Sequence, residues 1–303
     1  MEEIQWFPGN MARTRRLLGE SMPLVDFVIE LRDARAPLSS ANPELEKLIS
    51  KSGSKPRLVL LNKASLADRA ETQRWVAAIR SGDTSCLAVD CVSGDGINRI
   101  FPAAKELIGE KVSRDESKGV KKRYRAMIVG IPNVGKSSLT NRLAGKKAAK
   151  VENRPGVTLH RQWVPTSIGI DLLDTPGVLW PKIEDPAAGL RLAVTGAIKD
   201  DVFDIISVAR ELCVILASDY PDRLLDRFKI KPEESAEMKG DGPALLELAG
   251  RRRGMLVSGG EVDEERAAKT MLSEFRTGKF GPVTLERAVD EDGEGKEDPD
   301  TRV

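Results

Sequence analysis

The chain has 303 residues, 40% of them hydrophobic and 31% charged, with a formal net charge of +1. That profile fits a globular protein long enough for two domains, and no apolar run reaches bilayer-spanning length. It excludes a disulfide scaffold and a His/Cys metal site, because three scattered cysteines (Cys86, Cys91, Cys213) and the single His160 lack partners at ligand spacing. The acidic start Met1-Glu-Glu-Ile carries no targeting pattern, and a cytoplasmic protein is expected.

In chain order, residues 1–22 hold Trp6-Phe7-Pro8-Gly9, then a basic helix-like run with Arg13, Arg15 and Arg16. Residues 26–31 read as a strand, 43–51 as a helix, and 57–61 as a buried strand ending at Asn62-Lys63. A helix over 66–80 and a strand over 86–90 follow, and this alternation predicts a parallel α/β sheet. Residues 109–123 are charged and aperiodic and read as a linker. Strand 124–129, a glycine loop, a helix and strand 170–174 come next. From Asp185 the period turns helical, with Val202, Ile205, Ile206, Ala209, Leu212, Cys213 and Leu216 on one apolar face. The expected organisation is an N-terminal motif (1–22), an α/β domain (23–182), a small all-α domain (183–285) and an acidic disordered tail (286–303). Residues 289–303 hold seven acids against Lys296 and Arg302, so without them 46 basic and 40 acidic residues leave a body of +6. A basic body of this size suits a polyanion partner and is equally the mark of a solvated surface.

Gly130-Ile-Pro-Asn-Val-Gly135-Lys136-Ser137 matches G-x-x-x-x-G-K-[ST], with an apolar strand before it and a helix from Ser138 after it. Glycines let the backbone wrap phosphates, and amides of Asn133, Val134, Gly135 and Ser138 point inward near the helix N-terminus. Lys136 is expected to neutralise the β and γ phosphates and Ser137 to ligate Mg²⁺. Asp174-Thr175-Pro176-Gly177 closes a later strand, placing Asp174 to hold Mg²⁺ through water and the Gly177 amide to sense the γ phosphate. Between the two motifs, Thr158 of Arg154-Pro155-Gly156-Val157-Thr158 is a candidate to complete the metal shell, as a switch loop does.

Asn62-Lys63-Ala64-Ser65 ends a strand, where α/β sheets bind ligands, and resembles the guanine motif Asn-Lys-x-Asp of Ras-like GTPases. Ser65 stands where aspartate would accept from guanine N1 and N2, a loss of roughly 1.5–3 kcal/mol if nothing compensates. Ser65-x-x-Asp68 also reads as a capping box for the next helix, and both readings can hold. Cys91 and Val92 follow the next strand, at the place of a second base-contacting loop. The base-reading motifs precede the phosphate loop, the reverse of Ras-like order. The fold expected is therefore a P-loop NTPase sheet with circularly permuted motifs and a helical domain behind it.

With Trp6-Phe-Pro-Gly, Asp33-Ala-Arg35, Leu61-Asn-Lys63, Arg154-Pro-Gly-Val-Thr158, Leu173-Asp-Thr-Pro-Gly-Val-Leu-Trp-Pro181, residues 189–199 and Ser258-Gly-Gly260, the chain resembles the YlqF/RbgA family of permuted GTPases from Trp6 to about Leu285. The resemblance implies GTP binding and hydrolysis to GDP, coupled to late maturation of the large ribosomal subunit, with rRNA contacts from the C-terminal domain of a monomer. In this family a histidine usually stands at the position of Asn10 and is thought to assist hydrolysis. Val178 occupies the place of the Ras-like catalytic glutamine, so slow intrinsic turnover is expected. Asn10 is a candidate to position water, although it cannot act as a base; an anchoring role for residues 6–11 is the alternative. Asn133 resembles the potassium-binding asparagine of K⁺-activated GTPases and is equally readable as a loop-shaping residue. Arg251-Arg252-Arg253, Arg276 and Lys279 are candidates for rRNA phosphates or a plain solvated face. Two rival functions remain at this point: a nucleotide-gated RNA-binding placeholder with negligible hydrolysis, and an NTPase of relaxed base specificity.

Overall fold

The computed structural model describes residues 16–51, 55–119, 122–145, 162–175, 183 and 185–288. Asn10, Thr158, Gly177, Val178 and the tail from 289 lie outside the described residues, as does the Asp174 side chain.

The α/β domain is built on strands β1 (Phe27–Asp33), β2 (Arg57–Asn62), β3 (Thr84–Ala88), β4 (Tyr124–Gly130), β5 (Gln162–Pro165) and β6 (Ile170–Asp174). They form one sheet in the order β3-β2-β1-β4-β6-β5. Every pairing is parallel except β5 with β6, an antiparallel edge. The four-residue β5 escaped sequence reading because Gln162-Trp-Val-Pro165 is too short to show a period.

Alternate residues of the central strands feed opposite faces, as the pleat requires. Phe27, Ile29 and Leu31 join Ala126 and Ile128 in the larger core, while Val28 joins Met127 and Val129 in the core behind. Helical residues 16–21 (α1), α2 (Pro43–Lys51) and α3 (Arg69–Ile79) cover that rear face through Leu18, Leu45, Ile49 and Trp75. On the front face lie α4 (Ile100–Leu107), α5 (Gly109–Ser117) and α6 (Lys136–Ala144). Residues 109–117 thus form a helix rather than the irregular linker that their charge suggests. Val112 is 6% exposed and docks in the core, while Lys111 pairs with Asp26, so a single apolar contact per two turns orients a polar helix.

The helical domain contains α7 (Pro186–Thr195), α8 (Ile205–Asp219), α9 (Pro221–Phe228), α10 (Pro232–Glu237), α11 (Gly242–Arg252) and α12 (Glu264–Arg276). Val202 falls outside α8, because the Asp204 carboxylate accepts from the Ile206 amide and starts the helix there. α7 joins the two domains: Leu192 packs into the sheet's larger core, while Leu190, Ala193 and Val194 pack among the helices.

After α12 the chain returns to the sheet domain. Val283 N donates to Leu66 O at 3.0 Å and Leu285 N to Arg35 O at 2.7 Å. Glu286 is 5% exposed and accepts from the Leu38 and Ser39 amides. Residues 286–288, which their sequence places in the acidic tail, are therefore packed: a backbone bond from Trp75 Nε1 and the Glu71 carboxylate on Ala288 N hold them.

Candidate functional site

The sheet order reverses between β1 and β4: the chain steps from β1 to β2 and β3 on one side, then crosses to β4 and β6 on the other. Such a switch point opens a crevice at the strands' carboxyl ends, and anions bind there against the following helix. β4 ends at Gly130, the first residue of the phosphate loop, and α6 begins at Lys136. Gly135 has φ +106, and a Cβ there would stand 2.2 Å from Asn62 Nδ2. As N-cap it offers no side chain to the first turn of α6, so those amides are left to the loop's concave side. Lys136 is 8% exposed, and its Nζ donates to Gly130 O (2.9 Å) and Ile131 O (2.8 Å), which fixes an ammonium inside the loop.

Asn62 joins three segments. Its Nδ2 donates to Val134 O at 2.7 Å, and its Oδ1 accepts from Cys91 N at 3.0 Å. The Asn62–Ser65 turn, the Cys91–Val92 loop and the phosphate loop are thereby brought together, although 72 residues separate Asn62 from Val134. Lys63 takes a left-handed conformation (φ 62), and its Nζ donates to Asp33 Oδ2 at 2.8 Å. Asp33 also receives Arg35 through Nε (2.9 Å) and a second guanidinium nitrogen (2.8 Å). Burial alone would raise the Asp33 carboxyl, but Arg35 and Lys63 outweigh it and hold the group well below the usual carboxylate range. Burial lowers the Lys63 ammonium against the pull of Asp33.

The Ser65 hydroxyl donates to Asp90 Oδ2. It does not cap the next helix, a correction to the capping-box reading. Asp68 is the N-cap of α3, accepting from Glu71 N at 2.9 Å, and Ser65 lies in a 3-10 turn, Ala64–Leu66. Cys91 is buried, and burial pushes its thiol up to about 12, so it is an unreactive packing residue; Cys86 and Cys213 are likewise free, buried and raised to about 12. Val92 next to it is 84% exposed. Arg142 of α6 donates to the carbonyls of Cys91 (2.7 Å) and Val92, so the phosphate-loop helix also braces the Cys91–Val92 loop.

Asn133, also in the left-handed region (φ 57), donates from Nδ2 to Gly196 O at 2.8 Å, at the end of α7. Ser137 and Ser138 open α6 in half-buried positions. β6 pairs with β4 in the register Ile128 to Asp174, which sets the Asp174 backbone at the strand end beside the loop. Sequence reasoning missed Asp90, Arg142 and the roles of Asp33 and Arg35. Only the Asp-Ala-Arg spacing at 33–35 was a visible signal; the others become neighbours through the sheet.

Arg251, Arg252, Arg253 and Arg276 each pair with a carboxylate of the same chain. Arg252 grips Glu234 at 2.5 and 2.6 Å. Arg253 and Arg227 share Glu274, and Arg276 holds Asp200 together with the Ala193 and Val194 carbonyls. Arg251 pairs with Glu247 one turn back, both about half exposed. Among the described residues no group of His, Cys, Asp and Glu could hold a metal, and no helix is long and apolar enough to cross a membrane.

A glycine loop on a switch-point crevice, with a base motif tied to it from earlier in the chain, defines a P-loop GTPase of circularly permuted order. A family profile described as 50S ribosome-binding GTPase matches residues 125–233. Ribosome biogenesis GTPase A of Bacillus licheniformis is 47% identical over 290 residues, covering 95% of this chain and 99% of the relative. The chain belongs to the ribosome biogenesis GTPase A family, and it is a GTP-binding GTP hydrolase of ribosome biogenesis. Mouse mitochondrial ribosome-associated GTPase 1 is 35% identical, covering 94% of this chain and 90% of the relative. The GNP-bound crystal structure of YlqF from T. maritima superposes with a TM-score of 0.63 at 26% identity, covering 92% of this chain and 99% of that one.

Proposed function

We propose that GTP lies across the β1/β4 switch point, its purine between the Asn62–Ser65 turn and the Cys91–Val92 loop and its phosphates in the Gly130–Ser137 loop. The bonds of Asn62 to Val134 O and Cys91 N carry this reading, because one buried amide sets the distance between base loop and phosphate loop. Lys136 and the amides of Asn133, Val134, Gly135 and Ser138 would bind phosphate oxygens, and the fixed ammonium would stabilise charge developing on them. The donors fit Mg²⁺: the Ser137 hydroxyl opens α6, and Asp174 is a carboxylate residue at the neighbouring strand end, with Thr158 the candidate third ligand. Bound there, Mg²⁺ would neutralise the β and γ phosphates. Gly177 is proposed to sense the γ phosphate and Asn10 to orient water. Val178 in the glutamine position supports slow turnover unless the ribosome completes the site.

The partner is the large ribosomal subunit with its rRNA, in the cytoplasm, met by a monomer through the helical domain at 183–285. The relatives' names and the 50S ribosome-binding profile support the ribosomal partner. Within the basic cluster Arg251 and Lys279 are more than half exposed and are the side chains best placed for phosphates. A monovalent cation such as K⁺ would use Asn133 Oδ1, since its amide nitrogen is engaged by Gly196; equal turnover in KCl and NaCl would remove that cation. The central test is single-turnover GTP hydrolysis with and without large subunits. Slow hydrolysis accelerated by subunits, with GTP-dependent co-sedimentation, is expected; fast hydrolysis alone or nucleotide-independent binding would overturn the reading.

A further inference from the structure

The base-reading turn lacks the acidic residue that its motif calls for, yet an aspartate stands beside it. Asp90, 3% exposed and two residues beyond β3, accepts the Val92 amide at 2.7 Å and the Ser93 amide at 2.9 Å on Oδ1. Its Oδ2 accepts the hydroxyl of Ser65, which is itself an exposed residue of the turn. Burial opposes the charge on Asp90, but the Ser65 hydroxyl and the loop amides outweigh it and lower its pKa. An ionised carboxylate has no proton to give, so the hydrogen in the Ser65–Asp90 bond belongs to serine.

A hydroxyl owns one proton and two lone pairs. With the proton held by Asp90, Ser65 presents only acceptor capacity outward. Guanine offers donors at N1 and N2 on its Watson–Crick edge, whereas adenine offers a lone pair at N1 and a C–H at position 2. We propose that Asp90 is a positioning residue for base selection: by holding the serine proton it turns Ser65 into an acceptor that favours guanine over adenine. This rests on the proposed seat of the purine at the Asn62–Ser65 turn. The acidic function has moved from the turn to the neighbouring loop, and the serine relays it.

The test is titration of the full-length chain with fluorescent GDP and ADP. Asp90→Asn is expected to lower the GDP-over-ADP preference about tenfold or more, because a carboxamide can donate to Ser65 and release its proton toward the base. Ser65→Ala should lower it similarly, and the exchange of the two residues, Ser65→Asp with Asp90→Ser, should restore it. A purely structural role for Asp90 would weaken GDP and ADP equally and gain nothing from the exchange; that result, or an unchanged preference in Asp90→Asn, overturns the proposal. Should Asp90→Asn fail to fold, Ser65→Ala at its exposed position decides alone, an unchanged preference again being fatal. Asn62→Ala separates the two levels. Wild-type GDP binding in that variant would refute the purine's seat, whereas weakened GDP binding with an unchanged preference in Asp90→Asn would refute only the role of Asp90.

Discussion

The glycine loop at 130–137 and the arginine-rich end of α11 both look in sequence like places for phosphate, and their structures differ. In the loop a left-handed glycine, an uncapped helix start and a buried lysine converge on one concavity, and the lysine Nζ donates to the Gly130 and Ile131 carbonyls of its own loop. At 251–253 each guanidinium has a carboxylate of the same domain: Glu247, Glu234 and Glu274. Glu274 alone, 5% exposed, serves Arg227 and Arg253 and lies 3.9 Å from Lys279. Preorganised donors make a binding site, whereas a run of cations is as readily structural glue. A neutralised arginine must break its own ion pair before it can hold an RNA phosphate.

The sharpest way to break this contrast is at Lys136. Lys136→Ala should slow single-turnover GTP hydrolysis by about 10²–10³-fold, the scale of one lost transition-state charge partner; a change below tenfold would put the lysine outside the chemistry. On the other side, Glu274→Gln should destabilise the helical domain by about 2 kcal/mol, since two part-exposed arginines would lose a buried counter-charge. Urea unfolding would measure it, and GDP affinity should stay at the wild-type value. Acid should expose the same group. Burial raises the Glu274 carboxyl, but Arg227 and Arg253 outweigh it and its folded pKa lies below the usual 4.5. Its contribution is therefore complete above the unfolded value and is lost as pH falls through the folded one. The thermal midpoint should drop as pH falls below about 4.5, less steeply in Glu274→Gln than in wild type; parallel curves would contradict the assignment. The smallest effect is expected from Arg251→Ala, under about 0.5 kcal/mol of stability, because its partner Glu247 is half exposed. If Arg251 nonetheless meets rRNA, the salt slope of subunit binding should fall by about one in this variant; an unchanged slope leaves it a surface pair.

Several elements were legible because they are local. The helix at 43–51 and the strand at 170–174 have the bounds that periodicity suggests, and the phosphate loop lies between strand and helix as its motif requires. Elements resting on one or two contacts were not. Residues 109–117 owe their docking to Val112, β5 is an edge defined by its partner, and Glu286 is buried only because the Leu38 and Ser39 amides meet it. Ser65 shows the same limit within the site: its spacing to Asp68 suits a cap, while in the structure its hydroxyl donates to Asp90, 25 residues away.

By itself the amino-acid order determined the class of chemistry and the permutation, because glycine, lysine and asparagine at short fixed spacings specify what a backbone turn can hold. Tertiary structure alone decided which charges are available and which are spent on each other, since Asp33 with Lys63, Ser65 with Asp90 and Arg253 with Glu274 are neighbours only after β-strands pair and helices pack. The reason is range: a turn is encoded within a few residues, but the partner of a buried charge is chosen by whichever distant segment burial brings within hydrogen-bond reach.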